Sequence, residues 1–281
     1  MSTKSYVYSL TAVLIWSTLA ILGSKVVSVP SFLLVGVALL TSGTLSAIKI
    51  RKWKVPKKTL IVGIGGIFGY HFLIFTAYKF SPIIDANLLN YLWPLLIVLL
   101  TPVILPQYHL KPNHILGAIM GLSGAGIIIT GGRINLEWSY LPGYLLAVGA
   151  ALIWALYSLM SKRLPRFPTA AVGGFCMISG IFSLFLYFVS STSGDLYYPT
   201  RFEWFYMILL GLGPMGSAFF FWDMAMKEGD PRVIGSITYL TPLLSTLWLM
   251  IAGGKELTWT SGLAMLLLMV GAYIGSRNKF S

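Results

Sequence analysis

The sequence predicts an all-α membrane protein: ten transmembrane helices in two inverted five-helix repeats, with both termini in the cytoplasm. Three observations lead there. Of 281 residues, 57% are hydrophobic and only 10% charged, and the mean hydropathy of +0.81 is far above that of a chain with a polar surface. The apolar residues run in long stretches parted by short charged breaks, and the first half of the chain is echoed in order by the second. A surface facing hydrocarbon must bond each backbone N–H and C=O internally, so only helices or a closed barrel can cross, and unbroken apolar runs select helices.

A span needs about 20 apolar residues. The first, about 6–24, begins a few residues past Met1 and lacks a small-residue cleavage pattern, so it reads as a retained helix and not a removed signal peptide. Lys25 precedes the second, about 31–48, and the cationic run from Lys49 to Lys58 follows it. The third, about 59–79, ends at Lys79; the fourth, about 84–105, stops short of Lys111; the fifth, about 113–131, closes before Arg133. The sixth, about 140–161, meets Lys162, Arg163 and Arg166, and the seventh is about 170–190. Arg201 introduces the eighth, about 203–225; the ninth, about 232–252, starts at Arg232 and stops before Lys255; the tenth, about 258–276, precedes Arg277 and Lys279. No loop is long enough to hold a soluble domain, so the chain forms one membrane unit.

The net charge of +12 would raise nucleic-acid binding in a soluble protein. Here the cations sit in the breaks, with no basic stripe on a polar scaffold, so they report topology and no nucleic-acid partner is expected. With the N-terminus inside, the inner segments hold Lys4, Lys49, Arg51, Lys52, Lys54, Lys57, Lys58, Lys111, Lys162, Arg163, Arg166, Lys227, Arg232, Arg277 and Lys279. The outer ones hold Lys25, Lys79, Arg133, Arg201 and Lys255. That excess puts both termini in the cytoplasm. The single cysteine, Cys176, lies in an apolar run and forms no internal disulfide.

The echo is specific. Ala12, Leu14, Ile15 and Trp16 return 138 residues later as Ala150, Leu152, Ile153 and Trp154. Ala77-Tyr78-Lys79 through Tyr91-Leu92-Trp93-Pro94-Leu95-Leu96 returns 148 residues later as Ala225-Met226-Lys227 through Tyr239-Leu240-Thr241-Pro242-Leu243-Leu244, and Leu110 and Gly124 find Leu257 and Gly271. The repeats are then 1–137 and 138–281, five spans each. Five is odd, so the second repeat inserts upside down, an arrangement characteristic of alternating-access transporters.

These residues resemble a known family. The ten spans, the segment Asn90 to Pro94 with its echo Thr238 to Pro242, and the turn Gly254-Lys255-Glu256-Leu257-Thr258 are similar to the drug/metabolite transporter superfamily, EamA type, over the whole chain. Within it, Trp16, Tyr70-His71, Tyr91, Trp93 and Trp154 resemble the YddG-type aromatic amino acid exporters. The resemblance implies export of aromatic amino acids across the plasma (bacterial inner) membrane and a binding role for His71, although Ile74 and Phe75 stand where a tyrosine is expected one turn later.

The residues themselves point to a central site. Trp16, Trp93, Trp154, Tyr91 and Tyr239 fall near mid-span, far from the interfaces that tryptophan and tyrosine favour, and their ring faces suit planar or apolar solutes. His71, near the centre of the third span beside Tyr70, is a binding or coupling candidate, as intramembrane ionisable groups are. Asn90, Ser236 and Thr238 offer hydrogen bonds, and Pro94 and Pro242 each remove a helix bond near mid-span, marking hinges. Asp223 reads as an i, i+4 ion pair with Lys227, or else as a coupling site. Asp85, Glu137, Asp195, Glu203, Glu228, Asp230 and Glu256 map to loops or span ends as solvated charges.

Close helix approach is expected at Gly65/Gly69, Gly117/Gly121 and Gly271/Gly275. Gly63-Ile64-Gly65-Gly66 lacks the strand and acidic partner of a dinucleotide site. Gly121-Leu122-Ser123-Gly124 has the look of an intramembrane serine protease, the alternative from another class; a broad drug or amphiphile exporter is the alternative within transport. No phosphate loop, metal cluster or cofactor motif occurs, so no cofactor is expected, and a monomer in the lipid bilayer with a small-molecule substrate is the expected working unit.

Overall fold

The computed structural model describes residues 3–133, 137–191, 196–251 and 259–276. All regular structure among them is helical. The helices are α1 (Thr3–Ser17), α2 (Leu19–Gly23), α3 (Ser31–Thr44), α4 (Lys57–Phe80), α5 (Ile83–Asn90), α6 (Leu92–Ile104), α7 (Pro112–Thr130), α8 (Leu141–Arg163), α9 (Ala171–Ser190), α10 (Arg201–Leu212), α11 (Ala218–Glu228), α12 (Pro231–Ile237), α13 (Leu240–Ile251) and α14 (Trp259–Ser276).

Among the described residues, eight helical segments are long and apolar enough to cross a bilayer: Thr3–Gly23, Lys57–Phe80, Ile83–Ile104, Pro112–Thr130, Trp138–Arg163, Ala171–Ser190, Arg201–Glu228 and Pro231–Ile251. The expected second span departs from its predicted limits. It ends at Thr44, and the chain turns by 88° into a 3-10 helix, Ala47–Trp53, because the exposed Lys49, Arg51 and Lys52 cannot enter hydrocarbon. At the expected tenth position the apolar helix is the shorter Gly262–Gly275, inside α14. The turn from Gly254 to Thr258, with Lys255, Glu256 and Leu257, and also Asp195, Arg277 and Lys279, lie outside the described residues.

Local chemistry sets the helix ends. Proline precedes or opens α3, α4, α5, α7 and α12, where its fixed φ suits a first turn and its missing N–H costs no bond. Thr200 and Glu203 cap α10 reciprocally. Gly131, at φ 63°, stops α7 in the left-handed conformation that glycine alone adopts without penalty.

The prolines singled out as hinges act differently from expectation. The helix parts at Tyr91, between α5 and α6, and at Thr238–Tyr239, between α12 and α13. Pro94 and Pro242 are each the third residue of the helix that follows, where an N–H has no intrahelical partner anyway. They open the second half-helix and do not interrupt a continuous one. The proline inside a helix is Pro102 of α6. Two further irregularities lie at Thr18, between α1 and α2, and at the π turn Gly213–Ser217, between α10 and α11.

Four long pairings build the body: α7 along α14, α4 along α8, α3 along α9 and α1 along α11. Glycine makes the first possible. A Cβ on Gly117 would lie 2.5 Å from the backbone N of Gly275 and 2.6 Å from the carbonyl O of Gly271, and one on Gly121 would lie 2.3 Å from the Tyr239 ring. On α4 the close face is not Gly65/Gly69. Gly65 has nothing within 4 Å; Gly63 and Gly66 meet the rings of Phe175 and Tyr157, each with an atom closer than 2.5 Å to a hypothetical Cβ.

Candidate substrate site

Four of the elements deliver aromatic side chains to one place. Trp16 from α1 is the hub, its ring centroid 6.1 Å from Trp93 of α6, 6.1 Å from Trp154 of α8, and 6.4 and 5.2 Å from Phe219 and Trp222 of α11. Most crossings are edge-to-face, the arrangement ring quadrupoles prefer. The Trp16 indole N–H donates to the Pro214 carbonyl at 3.0 Å, an acceptor in the π turn. Trp93 and Trp154 are buried. The rings meet one another across the centre, where the sequence placed the site.

A polar arm joins the cluster from α4 and α5. Tyr70 leans on Trp154, with centroids 5.2 Å apart, and its hydroxyl accepts from Asn90 Nδ2 at 3.2 Å. Asn90 is buried and its Oδ1 has no hydrogen-bond partner. His71 stands edge-on to Tyr70 at 5.0 Å and near Phe219 at 6.1 Å. Its Nδ1 donates to the Ile67 carbonyl at 2.7 Å, which leaves Nε2 as the acceptor whenever the ring is neutral. Phe75, at the position where a tyrosine was expected, stacks on His71 with planes 15° apart.

Not every candidate reaches this place. Tyr239 is fully buried among Val98, Ala118, Ala125 and Leu268, with Tyr91 packed on that group, and its hydroxyl is 3.4 Å from the Tyr91 carbonyl. Ser236 bonds the Arg232 carbonyl at 3.0 Å and lies against Gly275 of α14. Thr238 bonds the Gly235 carbonyl at 2.6 Å. These last two hydroxyls are satisfied by their own helix, bonding back to carbonyls four and three residues earlier. Sequence reasoning in turn missed Phe219, Trp222, Tyr157 and Phe75. Phe219 was recoverable, since the 148-residue offset of the echo maps His71 onto it.

Asp223 and Lys227 form the expected pair, 2.6 Å apart, with side chains 1% and 13% exposed. The pair also straps the connection before α9: Thr169 donates to Asp223 Oδ2 at 2.6 Å, and Lys227 donates to the Phe167 carbonyl at 2.9 Å while lying 3.5 Å above its ring centroid. Nearby, Lys162 donates to the carbonyls of Met226, Lys227 and Gly229, capping α11, and Arg232 reaches the His109 carbonyl. Two acids expected in solvent are buried instead. Asp230 caps α12 and pairs with Arg232 at 2.5 Å. Glu203, at the opposite end, accepts from Ser28, Tyr197 and both the N–H and hydroxyl of Thr200 at 2.6–2.9 Å. Each carboxylate replaces water with at least three donors, which is how a charge tolerates burial.

The protease reading fails on geometry, since Ser123 is exposed on α7 whereas His71 is buried against Ile67. Known proteins agree. The sequence pattern of the EamA-like transporter family matches the chain twice, over residues 3–130 and 141–277. The aromatic amino acid exporter YddG of Ancylobacter novellus is 38% identical over 275 residues, covering 95% of this chain and 94% of that protein. The exporter of the same name from Escherichia coli K12 is 24% identical over 63% of this chain and 67% of its own length. One solved crystal structure superposes with a TM-score of 0.92 at 37% identity, covering 98% of each chain. The chain belongs to the EamA-like transporter family and is a multi-pass membrane transporter, not an enzyme.

Proposed function

We propose that this transporter exports aromatic amino acids across the plasma membrane by alternating access. The observation that carries the reading is the central cluster, in which rings drawn from both halves of the chain meet and Tyr70 links them to a buried amide, Asn90, with an unpaired polar atom. The rings offer faces and edges to an aromatic side chain. Asn90 Oδ1 and His71 Nε2 offer acceptors to its ammonium, and the opened first turn of α6, whose Leu92 and Trp93 N–H groups have no intrahelical acceptor, offers donors to its carboxylate. Similarity to proteins named as aromatic amino acid exporters supports the same substrate and direction.

The architecture proposed for this cycle is ten spans in two inverted repeats, 1–137 and 138–281, with both termini inside. Its support is that helix pairings persist when the halves are exchanged: α4 with α8 corresponds to α11 with α1, and α6 with α8 to α13 with α1. Echoed residues also meet each other, Trp16 with Trp154, His71 with Phe219 and Tyr91 with Tyr239, as residues beside a two-fold axis must. The cationic excess at one end supports the orientation. For export, the halves rock about the central rings and bend where α5 meets α6 and α12 meets α13. The strap of Asp223, Lys227, Thr169 and Phe167 opens at the inner end to admit the solute, and the rings part around it.

The deciding experiment is uptake by proteoliposomes of labelled phenylalanine, tryptophan, alanine and a lipophilic cation, with and without a pH gradient. Saturable uptake of the two aromatic amino acids, with little of the other solutes, is expected. Transport of the lipophilic cation in their place would make the protein a broad amphiphile exporter.

A further inference from the structure

Ser17 closes α1 at the break in the first span, one residue after the hub of the aromatic cluster. The carbonyls of a last helical turn lack intrahelical donors. Here one such donor comes from α13: Ser245 Oγ donates to the Ser17 carbonyl at 2.9 Å, and Trp248 Nε1 adds a second tie by donating to Ser17 Oγ at 2.9 Å. Ser17 Oγ in turn donates to the Leu14 carbonyl at 2.6 Å. Ser245 and Trp248, three residues apart, share one face of α13. Ser17 is completely buried, whereas Trp248 is 41% exposed, so its ring contributes less packing than its N–H contributes direction.

Trp16 and Ser17 together touch three irregular points of the backbone. The Trp16 N–H holds the π turn of the eighth span through Pro214; Ser17 ends α1; and Ser17 is held by α13, the half-helix that follows the break at Thr238–Tyr239. Sixth and third spans, the repeat counterparts of the first and eighth, are the continuous helices α8 and α4. A solute that displaces the Trp16 ring therefore moves a helix end that α13 holds through Ser245 and Trp248.

We propose that Ser17, Ser245 and Trp248 are positioning residues that couple occupancy of the aromatic site to the movement of α2 and α13 as one unit. Under the proposed orientation this unit is the outer half of the first and ninth spans, and the inference rests on the proposed function for that orientation and for the identity of the solute. Trp248→Phe removes the N–H and keeps a ring. Ser245→Ala removes one hydroxyl and serves as the gentler second variant.

The test places a reporter thiol at Leu22 of α2, in a Cys176→Ala background, and measures its labelling by a membrane-impermeant maleimide on intact cells. Without any solute, either variant frees α2, and labelling should accelerate about two- to twelvefold, the effect of losing one hydrogen bond. Saturating phenylalanine should change the labelling rate with Ser17 anchored, and this change should vanish in Trp248→Phe, while phenylalanine binding to the purified variant stays within about twofold of the parent. Unaltered labelling in both variants overturns the coupling. So does binding that weakens in step with transport, which would mark Trp248 as part of the site. Failure of the parent protein to bind phenylalanine would instead condemn the substrate assignment and leave the solute-free labelling to decide the coupling.

Discussion

Replacing Asn90 by leucine should leave the stability of the resting protein nearly unchanged and weaken its hold on substrate. The side chain is buried, Nδ2 has one bond of 3.2 Å to Tyr70, and Oδ1 has none. Exchanging the two ends of the amide would move the unpaired atom, not remove it. A buried unsatisfied polar group costs about 1–3 kcal/mol, and the bond to Tyr70 returns about 0.5–1.5 kcal/mol. A leucine of nearly the same volume removes the unpaired atom but also takes the Asn90 partner from the Tyr70 hydroxyl, at a similar cost of about 1–3 kcal/mol, so the stability of the empty protein changes little. If the amide serves the substrate ammonium, the same change removes a hydrogen bond to a charge, worth about 1.5–3 kcal/mol, or roughly 12- to 150-fold in affinity. The assay is thermal unfolding of purified protein in detergent, with and without phenylalanine, beside equilibrium binding. Little change in midpoint without ligand, with loss of the ligand-induced shift, is the expected pattern. A lowered midpoint with affinity intact would refute the argument and make Asn90 a structural residue.

Three other outcomes are expected. In a Cys176→Ala background, an impermeant thiol reagent on intact cells should label a cysteine at position 133 and spare one at 54; the reverse would invert the proposed orientation. His71→Gln keeps hydrogen bonding without titration, and accumulation of phenylalanine in vesicles should persist; loss of accumulation driven by a pH gradient, with binding retained, would make His71 the coupling group. Gly117→Ala drives a Cβ into backbone of α14 and should cost about 1–3 kcal/mol in thermal stability, whereas Gly65→Ala, with nothing within 4 Å, should gain about 0.4–1 kcal/mol; equal effects would contradict the helix contact.

Much of the fold is legible in the sequence because two signals are strong in a membrane protein. Apolar runs between cations report helices, and an ordered echo reports the second half. The echo also reached the site: Trp16 and Trp154 recur at matched positions and do meet. What failed was helix phase. Ser236 and Thr238 lie within a turn of Tyr239, yet α12 ends there and their hydroxyls turn back to its own carbonyls or toward Gly275. Composition says nothing about which side of a broken helix a hydroxyl will face. The glycine face of α4 failed for the same reason: Gly63, Gly65, Gly66 and Gly69 are equally small, and only the bulk of Phe175 and Tyr157 opposite decides which of them matter.

The breaks divide by cause. Those before Pro94 and Pro242 could be read, since proline cannot extend a preceding helix and the two echoed segments each carry one. The π turn had a visible signal in Gly213-Pro214. Trp16-Ser17-Thr18 holds no glycine or proline; its signal is the Ser-Thr pair, whose hydroxyls bond back to the Leu14 and Ile15 carbonyls and compete with the helix. α13 adds an outside donor to the Ser17 carbonyl from Ser245, about 230 residues away along the chain. A break held by tertiary bonds can close when those bonds are lost, whereas one imposed by proline cannot. The break in the first span has no proline beside it, and it adjoins Trp16, the hub of the aromatic cluster.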